Sequence, residues 1–517
     1  MEYSVSQKII RNTKWNILAR LFRILTFLFL IPFIIHHVGT TRYGIWVTLF
    51  AFVEYFTFLD FGFGAATIKY SADYYARKDF LNIGRIVSAT VLFHSLIIIP
   101  VVCLLFFTGP ILCVFHVTPQ YTAESLFVLR AILVIFAFNH VTSVFRNILI
   151  GLQRMDVQNA CVIIHTLLYV IGTVAVLEAG FGLKGMVLLI GGLRFFLSLS
   201  QGMLVFNIVP EIRAGIKRLD SRIFKEFFHY GIRLQFTSFA GFLNLYLDKI
   251  LIGHFLRIDL VTFYELGAKI AMLIQILPSF FSAPLIPASA ELAATNDKNR
   301  LIAIHLKGSR YITLIAAPVS SFMIVMAPVI MGVWMGSMEY LNANLTLRIL
   351  SVGYFFGIIT LVVRAMGRGI GKLQYEMHAT AIIAVANLAL SITLILTIGF
   401  SGALVGTSLA MTMGNILLLY RFNRYIGVPF LEFVKRSVAK PILCAAVAGA
   451  ATCWLQVLLS NTYLILSPVR LHLLLTLMIT GAVFSAIYGI SLVLTSAVGR
   501  SDLKLMVRLI TSKSPAA

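Results

Sequence analysis

Apolar runs dominate the organisation of the chain. Fourteen stretches of about 20 residues, each long enough to cross a bilayer's hydrocarbon core as a helix, follow one another with short connections. They fall at roughly 15–36, 43–68, 86–107, 124–149, 157–178, 183–208, 229–255, 261–290, 307–334, 343–368, 376–398, 403–422, 439–459 and 471–497. The expected fold class is an all-α polytopic membrane protein. Of 517 residues, 59% are hydrophobic and 12% charged, whereas soluble domains are about half apolar and about a quarter charged. The formal charge of +22 would suit nucleic acid if the basic residues shared one surface. Instead, with the N-terminus placed in the cytoplasm, thirty Lys and Arg fall in inner segments and four in outer ones. This alternation orients a membrane protein and excludes nucleic acid as the partner. Both termini are then cytoplasmic, and the first run is an anchor rather than a cleaved signal.

Similar pieces recur at a nearly constant spacing. Arg146, Gly151 and Arg154 match Arg364, Gly369 and Lys372 at an offset of 218; Gly180–Phe181 matches Gly399–Phe400, and His37 matches His254. These matches predict a duplicated six-helix unit. Six is even, so the copies keep one orientation and form parallel repeats about a central cavity, with two helices appended. The expected division is an N-lobe at 1–208 (helices 1–6), a cytoplasmic linker at 209–228, a C-lobe at 229–424 (helices 7–12), and helices 13–14 with the tail at 425–517. Pro278, Pro284 and Pro287 predict a bend in the eighth run.

Charges inside apolar runs are costly and are functional candidates by default. The basic ones are Arg20, Arg23, Arg130, Arg194, Arg233, Lys249, Lys269 and Arg348; the acidic ones are Glu54, Asp60, Asp248 and Glu265. An excess of cations suits an anionic substrate, and a guanidinium matches a diphosphate with two parallel hydrogen bonds. Asn16, Arg20 and Arg23 share one helix face. The candidate substrate residues are therefore Arg23, Arg20, Arg194, Arg233, Lys269 and Asn16. The candidate coupling or gating residues are Asp60, Glu54, Asp248 and Glu265. Structural alternatives stand beside each: an Arg23–Asp60 salt bridge, snorkelling by Arg20 and Arg233, pairing of Arg194 with Glu54, and a local ion-pair network joining Asp248, Lys249, Glu265 and Lys269. His94, His140, His165 and His378 read as hydrogen-bonded core residues. They and the five cysteines show no metal-ligand spacing, so no metal or cofactor is expected. There is no Walker A, HExxH or GxSxG sequence. Neither an enzyme nor direct use of ATP is expected, which leaves proton, sodium or membrane potential as the energy source.

The stretch HVGTTRYGIWVTLFAFVEYFTFLDFGFGAATIKYSADYYARKD over 37–79 resembles the polysaccharide and O-antigen flippases. There, a glycine–tyrosine turn (here Tyr43–Gly44) leads into a helix ending in Asp-x-Gly (here Asp60–Gly62). The repeated Arg/Gly/Lys turns look like the same family, whose superfamily includes multidrug extruders and the lipid II flippase. The resemblance implies movement of an isoprenoid-diphosphate-linked oligosaccharide from the inner to the outer leaflet, by alternating access, for O-antigen, capsule or exopolysaccharide. The headgroup would pass through a cationic cavity while the tail stays among membrane lipids. Expected partners are a polysaccharide polymerase and glycosyltransferases, and the expected location is the bacterial plasma (inner) membrane. Two rival readings remain: a cation-coupled multidrug or metabolite exporter, which would favour acidic cavity residues, and a non-transporting assembly scaffold.

Overall fold

The computed structural model describes residues 5–212, 215, 221–282, 284–337, 340–462 and 469–497, and no strand occurs among them. The helices are α1 (Val5–Val38), α2 (Thr40–Glu54), α3 (Phe63–Ala76), α4 (Phe80–Leu96), α5 (Ile98–Phe106), α6 (Thr108–Val114), α7 (Pro119–Gly151), α8 (Met155–Glu178), α9 (Gly182–Ile208), α10 (Ser221–Phe255) and α11 (Asp259–Met272). They continue as α12 (Ile276–Ser282), α13 (Leu285–Ala294), α14 (Lys298–Met335), α15 (Leu341–Ile359), α16 (Leu361–Gly369), α17 (Gln374–Ile398), α18 (Phe400–Ile426), α19 (Phe430–Phe433), α20 (Lys440–Thr462) and α21 (Val469–Leu494). Eleven spans are long and apolar enough to cross a membrane, or twelve if α2 and α3 are one bent span. The expected count of fourteen is thus not reached among the described residues. Polar residues dilute α10, and the proline-rich run predicted to bend is divided into α11, α12 and α13, too short to count separately. The chain is a multi-pass helical membrane protein.

Contacts divide the chain into two units, Met1–Thr262 and Phe263–Ala517. The boundary falls beyond α10, because that helix packs on α2 and α3 of the first unit.

Within each unit the same local structure recurs 218 residues apart. Asp79 caps α4 by accepting from the Asn82 N–H at 3.1 Å; Asp297 caps α14 by accepting from the Arg300 N–H at 3.0 Å. Both caps satisfy an amide that the helix itself leaves unpaired. Lys78 and Asn296, just before them, are both left-handed (φ 58° and 53°), as are Gln153 and Gly371 (φ 59° and 73°). A Cβ on Gly151 would crowd the Ile68 carbonyl, Ser71 and Ala72; one on Gly369 would crowd the Ile286 carbonyl, Ser289 and Ala290.

The bend between α2 and α3 is 48°. A 3-10 segment, Tyr55–Asp60, precedes it. Phe61 (φ 44°) and Gly62 (φ 77°) are then both left-handed, a conformation that glycine adopts freely and phenylalanine only under constraint. Gly62 also has to lack a side chain because α10 crosses it there. A Cβ on Gly62 would overlap the Gly231 backbone, and one on Gly231 would overlap the Phe61 carbonyl. Aromatic rings pack around this crossing: Phe63 stacks on Phe93 at 3.8 Å and meets Phe224 and Phe227 of α10 at 5.4 and 5.9 Å.

Candidate functional site in the first unit

Asp60 closes the 3-10 segment, and its carboxylate folds back to accept from the Gly64 N–H at the start of α3 (3.2 Å to Oδ1, 3.1 Å to Oδ2). This contact is an anion at a helix N-terminus. Two histidines approach the same carboxylate from other helices. His94 of α4, fully buried, places Nε2 2.8 Å from Asp60 Oδ1. His140 of α7 places Nε2 3.9 Å from the same oxygen, with its ring 4.7 Å from that of His94. The expected Arg23–Asp60 bridge is therefore replaced. Arg23 lies exposed on α1, and the carboxylate is held by imidazole and backbone. His94 and His140, read from sequence as core residues, belong to the site. They lie 46 residues apart, and no local spacing could have joined them.

Positive charge flanks this cluster. Arg146 lies six residues beyond His140 on α7, and its charge acts on both Asp60 and Arg194. Arg194 of α9 is half-buried, and it and Lys249 are the cations whose charge acts on Glu54. The expected Arg194–Glu54 pairing is thus electrostatic; among the described residues Glu54 is hydrogen-bonded by the Thr57 hydroxyl at 3.3 Å. Arg146 and Arg194 make no ion pair with a carboxylate among the described residues. Asp248 is fully buried near Tyr55 and Tyr246, and Lys249 Nζ sits 5.2 Å from the Tyr246 ring centre. The side chains of Asn16, Arg20 and Arg233 lie outside the described residues.

The second unit treats its charges differently. Lys269 pairs with Glu265 at 3.0 Å, one turn apart on α11. Arg364, which corresponds to Arg146, donates to Glu376 Oε1 at 3.1 Å, Asn415 Oδ1 at 3.0 Å and Thr360 Oγ1 at 3.1 Å. Arg368 adds two more bonds to Glu376, at 2.9 and 2.7 Å. This network is a structural knot in which two arginines share one carboxylate. The first unit's counterpart of Glu376 is uncharged Gln158, which accepts from Gln201 at 2.8 Å, so Arg146 lacks the acid that Arg364 has.

Helical units with recurring local structure and many apolar spans define a polytopic helical membrane fold. Its relatives among solved structures agree. A lipid II flippase, MurJ, in an inward closed conformation aligns with TM-score 0.70 and 15% identity, covering 93% of this chain and 99% of that one. An inward-facing multidrug resistance MATE family transporter of the MOP superfamily aligns with TM-score 0.67 and 15% identity, covering 79% and 94%. Residues 9–293 match the polysaccharide biosynthesis protein family, and the chain belongs to it. Among curated relatives, a probable low-salt glycan biosynthesis flippase, Agl15, of Haloferax volcanii is 22% identical over 45% of this chain and 50% of its own length. An O-antigen transporter, itself assigned provisionally, of Shigella flexneri is 20% identical over 46% and 56%. The chain thus spans about half the length of the curated relatives it matches.

Proposed function

We propose that the protein is a flippase for an isoprenoid-diphosphate-linked oligosaccharide, carrying the headgroup from the inner to the outer leaflet of a bacterial inner membrane by alternating access between two six-helix lobes. Both termini would be cytoplasmic. Family membership and the flippase and O-antigen transporter relatives support the class. The observation that carries the substrate is the pair Arg146 and Arg194. Arg194 is half-buried within α9 and Arg146 is exposed near the end of α7; neither pairs with a carboxylate among the described residues, and a diphosphate would engage both with charge-assisted bonds. Arg23, with Arg20, Arg233, Lys269 and Asn16, would extend the cationic path. Asp60, Glu54, Asp248 and Glu265 would couple or gate it, with proton, sodium or membrane potential as the drive. The protein itself would not be an enzyme, and would work beside glycosyltransferases and a polymerase.

The test separates Arg146 from its counterpart. Arg146→Ala and Arg194→Ala should each lower surface glycan, or flipping of a labelled lipid-linked oligosaccharide in proteoliposomes, by about 10- to 100-fold, the value of one charge-assisted bond of about 1.5–3 kcal/mol. Arg23→Ala should act in the same direction, with the protein still in the membrane. Full flipping by the Arg146→Ala/Arg194→Ala double variant, or unchanged surface polysaccharide on deleting the chain in a strain without a paralogue, would refute the proposal.

A further inference from the structure

We propose that Asp60, His94 and His140 form a binding site for a divalent transition-metal ion of the zinc class. Three donors from three separate elements converge here: the end of the 3-10 segment, α4 and α7. Their ligand atoms all lie within 4.8 Å of one another. Donor atoms around a tetrahedral ion with bonds of about 2.0–2.1 Å stand roughly 3.3 Å apart; the observed separations from Asp60 Oδ1, 2.8 Å to His94 and 3.9 Å to His140, bracket that value. The independent observation is what the histidines lack. His94 Nδ1 and His140 Nε2 are buried, and neither has a hydrogen-bond partner. Buried polar atoms are almost always satisfied, and His140 Nε2 is directed at the carboxylate without reaching it. An ion between the three groups would satisfy it. Ligation through His94 Nε2 would require the tautomer that carries its proton on Nδ1.

The donor set selects the ion. Two imidazoles and one carboxylate suit zinc, copper, nickel or iron(II), whereas calcium and magnesium favour shells of oxygen. Three protein ligands would leave a coordination position open, as in sites that exchange water or substrate. The charges facing the cluster are Asp60 itself and Arg146 of α7. One carboxylate does not neutralise a divalent ion, and Arg146 adds to the positive excess, so affinity should be moderate and the open position should favour an anion. The site's location gives binding a mechanical consequence. Asp60 and His94 are each next in sequence to an aromatic residue of the α10 crossing, Phe61 and Phe93, and Gly62 lies two positions beyond Asp60. Phe61 lies 6.3 Å from Phe228, and Phe93 lies 5.9 Å from Phe224. A bound ion would brace the left-handed turn on which α10 rests.

The assignment is independent of the flippase proposal, because it is read on purified full-length protein without transport. Detergent-solubilised protein is equilibrated with zinc, and bound metal is counted by mass spectrometry; cobalt is then substituted and its visible spectrum recorded. One ion per chain is expected, with the d–d bands of four- or five-coordinate cobalt and a rise in melting temperature on adding zinc. His140→Gln is the deciding variant, since Nε2 of His140 has no hydrogen-bond partner to lose. That variant should weaken binding at least about tenfold, the smaller cost seen when even an outer partner of a metal site is removed. The exposed histidines His36, His37, His116, His229 and His378 are competing ligands for zinc. Wild-type protein that takes up no stoichiometric ion, or binding unchanged in both His140→Gln and His94→Gln, would overturn the assignment.

Discussion

Asp79 and Asp297 cap their helices through the same amide position, and Gly151 and Gly369 admit the same three neighbours 218 residues apart. Yet where the first unit has Asp60, His94 and His140, the second has Pro278, Ile312 and Ile358, all buried, with Ile312 and Ile358 both in its main hydrophobic core. Where the first unit has Arg146 and an uncharged Gln158, the second ties Arg364 and Arg368 to Glu376. A duplicated scaffold has kept its backbone instructions and divided its chemistry. One copy holds titratable groups, and cations without a carboxylate partner among the described residues, where the other holds apolar residues and arginines paired to an acid. Retained caps and close glycine contacts preserve the helix frame in both, and the frame tolerates very different buried side chains at corresponding positions.

The largest effect on stability should come from breaking the knot. Glu376→Ala leaves Arg364 and Arg368 without their acid, and loss of one partner of a buried pair costs about 3–5 kcal/mol. The lower end applies, because the Arg368 side chain is 53% exposed and solvent screens it. Gln158→Ala, at the corresponding site, should cost only about 1 kcal/mol, the net value of one neutral hydrogen bond. Thermal unfolding of the two variants in detergent checks the pair, and equal losses would erase the contrast between the units.

Exchanging the buried groups should be next in size. Ile358→His puts an imidazole without a partner into the second unit's core and should cost about 3 kcal/mol, from lost packing and an unsatisfied polar atom. His140→Ile, the reverse exchange, should shift stability by less than about 1 kcal/mol, since it removes a ring nitrogen that bonds nothing. Denaturation midpoints would measure both; a severe loss in His140→Ile would mean that the histidine supports the fold rather than a function.

The smallest effects should be the shared ones. Asp79→Ala and Asp297→Ala should each cost about 1 kcal/mol, the usual value of an N-cap, and by nearly the same amount. Hydrogen exchange at the first turns of α4 and α14 would report it, and a large inequality would show that the two caps are equivalent in geometry alone.

Much of this frame was readable in advance. Hydropathy located nearly every long span, because a helix in lipid must be apolar along its length. The 218-residue offset first noticed at Arg146 and Arg364 recurs in caps, left-handed residues and close glycine contacts, since these are local instructions written over a few residues. The i, i+4 pair Glu265–Lys269 was legible for the same reason. The span count was less secure. Hydropathy alone does not distinguish one bent span from α11, α12 and α13. The site was the least legible part. Arg23 and Asp60 were matched by depth along their helices, but depth says nothing of which faces meet.

The amino-acid order by itself determined a helical membrane protein, its duplicated local signals, and an excess of cations within apolar runs. Each follows from properties of single residues or short windows: transfer free energy, capping and backbone permissiveness. The tertiary structure alone decided that Asp60 meets His94 and His140, that Glu376 pairs with two arginines while Arg146 has no such acid among the described residues, and that Gly62 lies against Gly231. Those outcomes depend on the rotation and crossing of helices distant in sequence, where close packing of whole faces selects which polar side chains come within reach of one another.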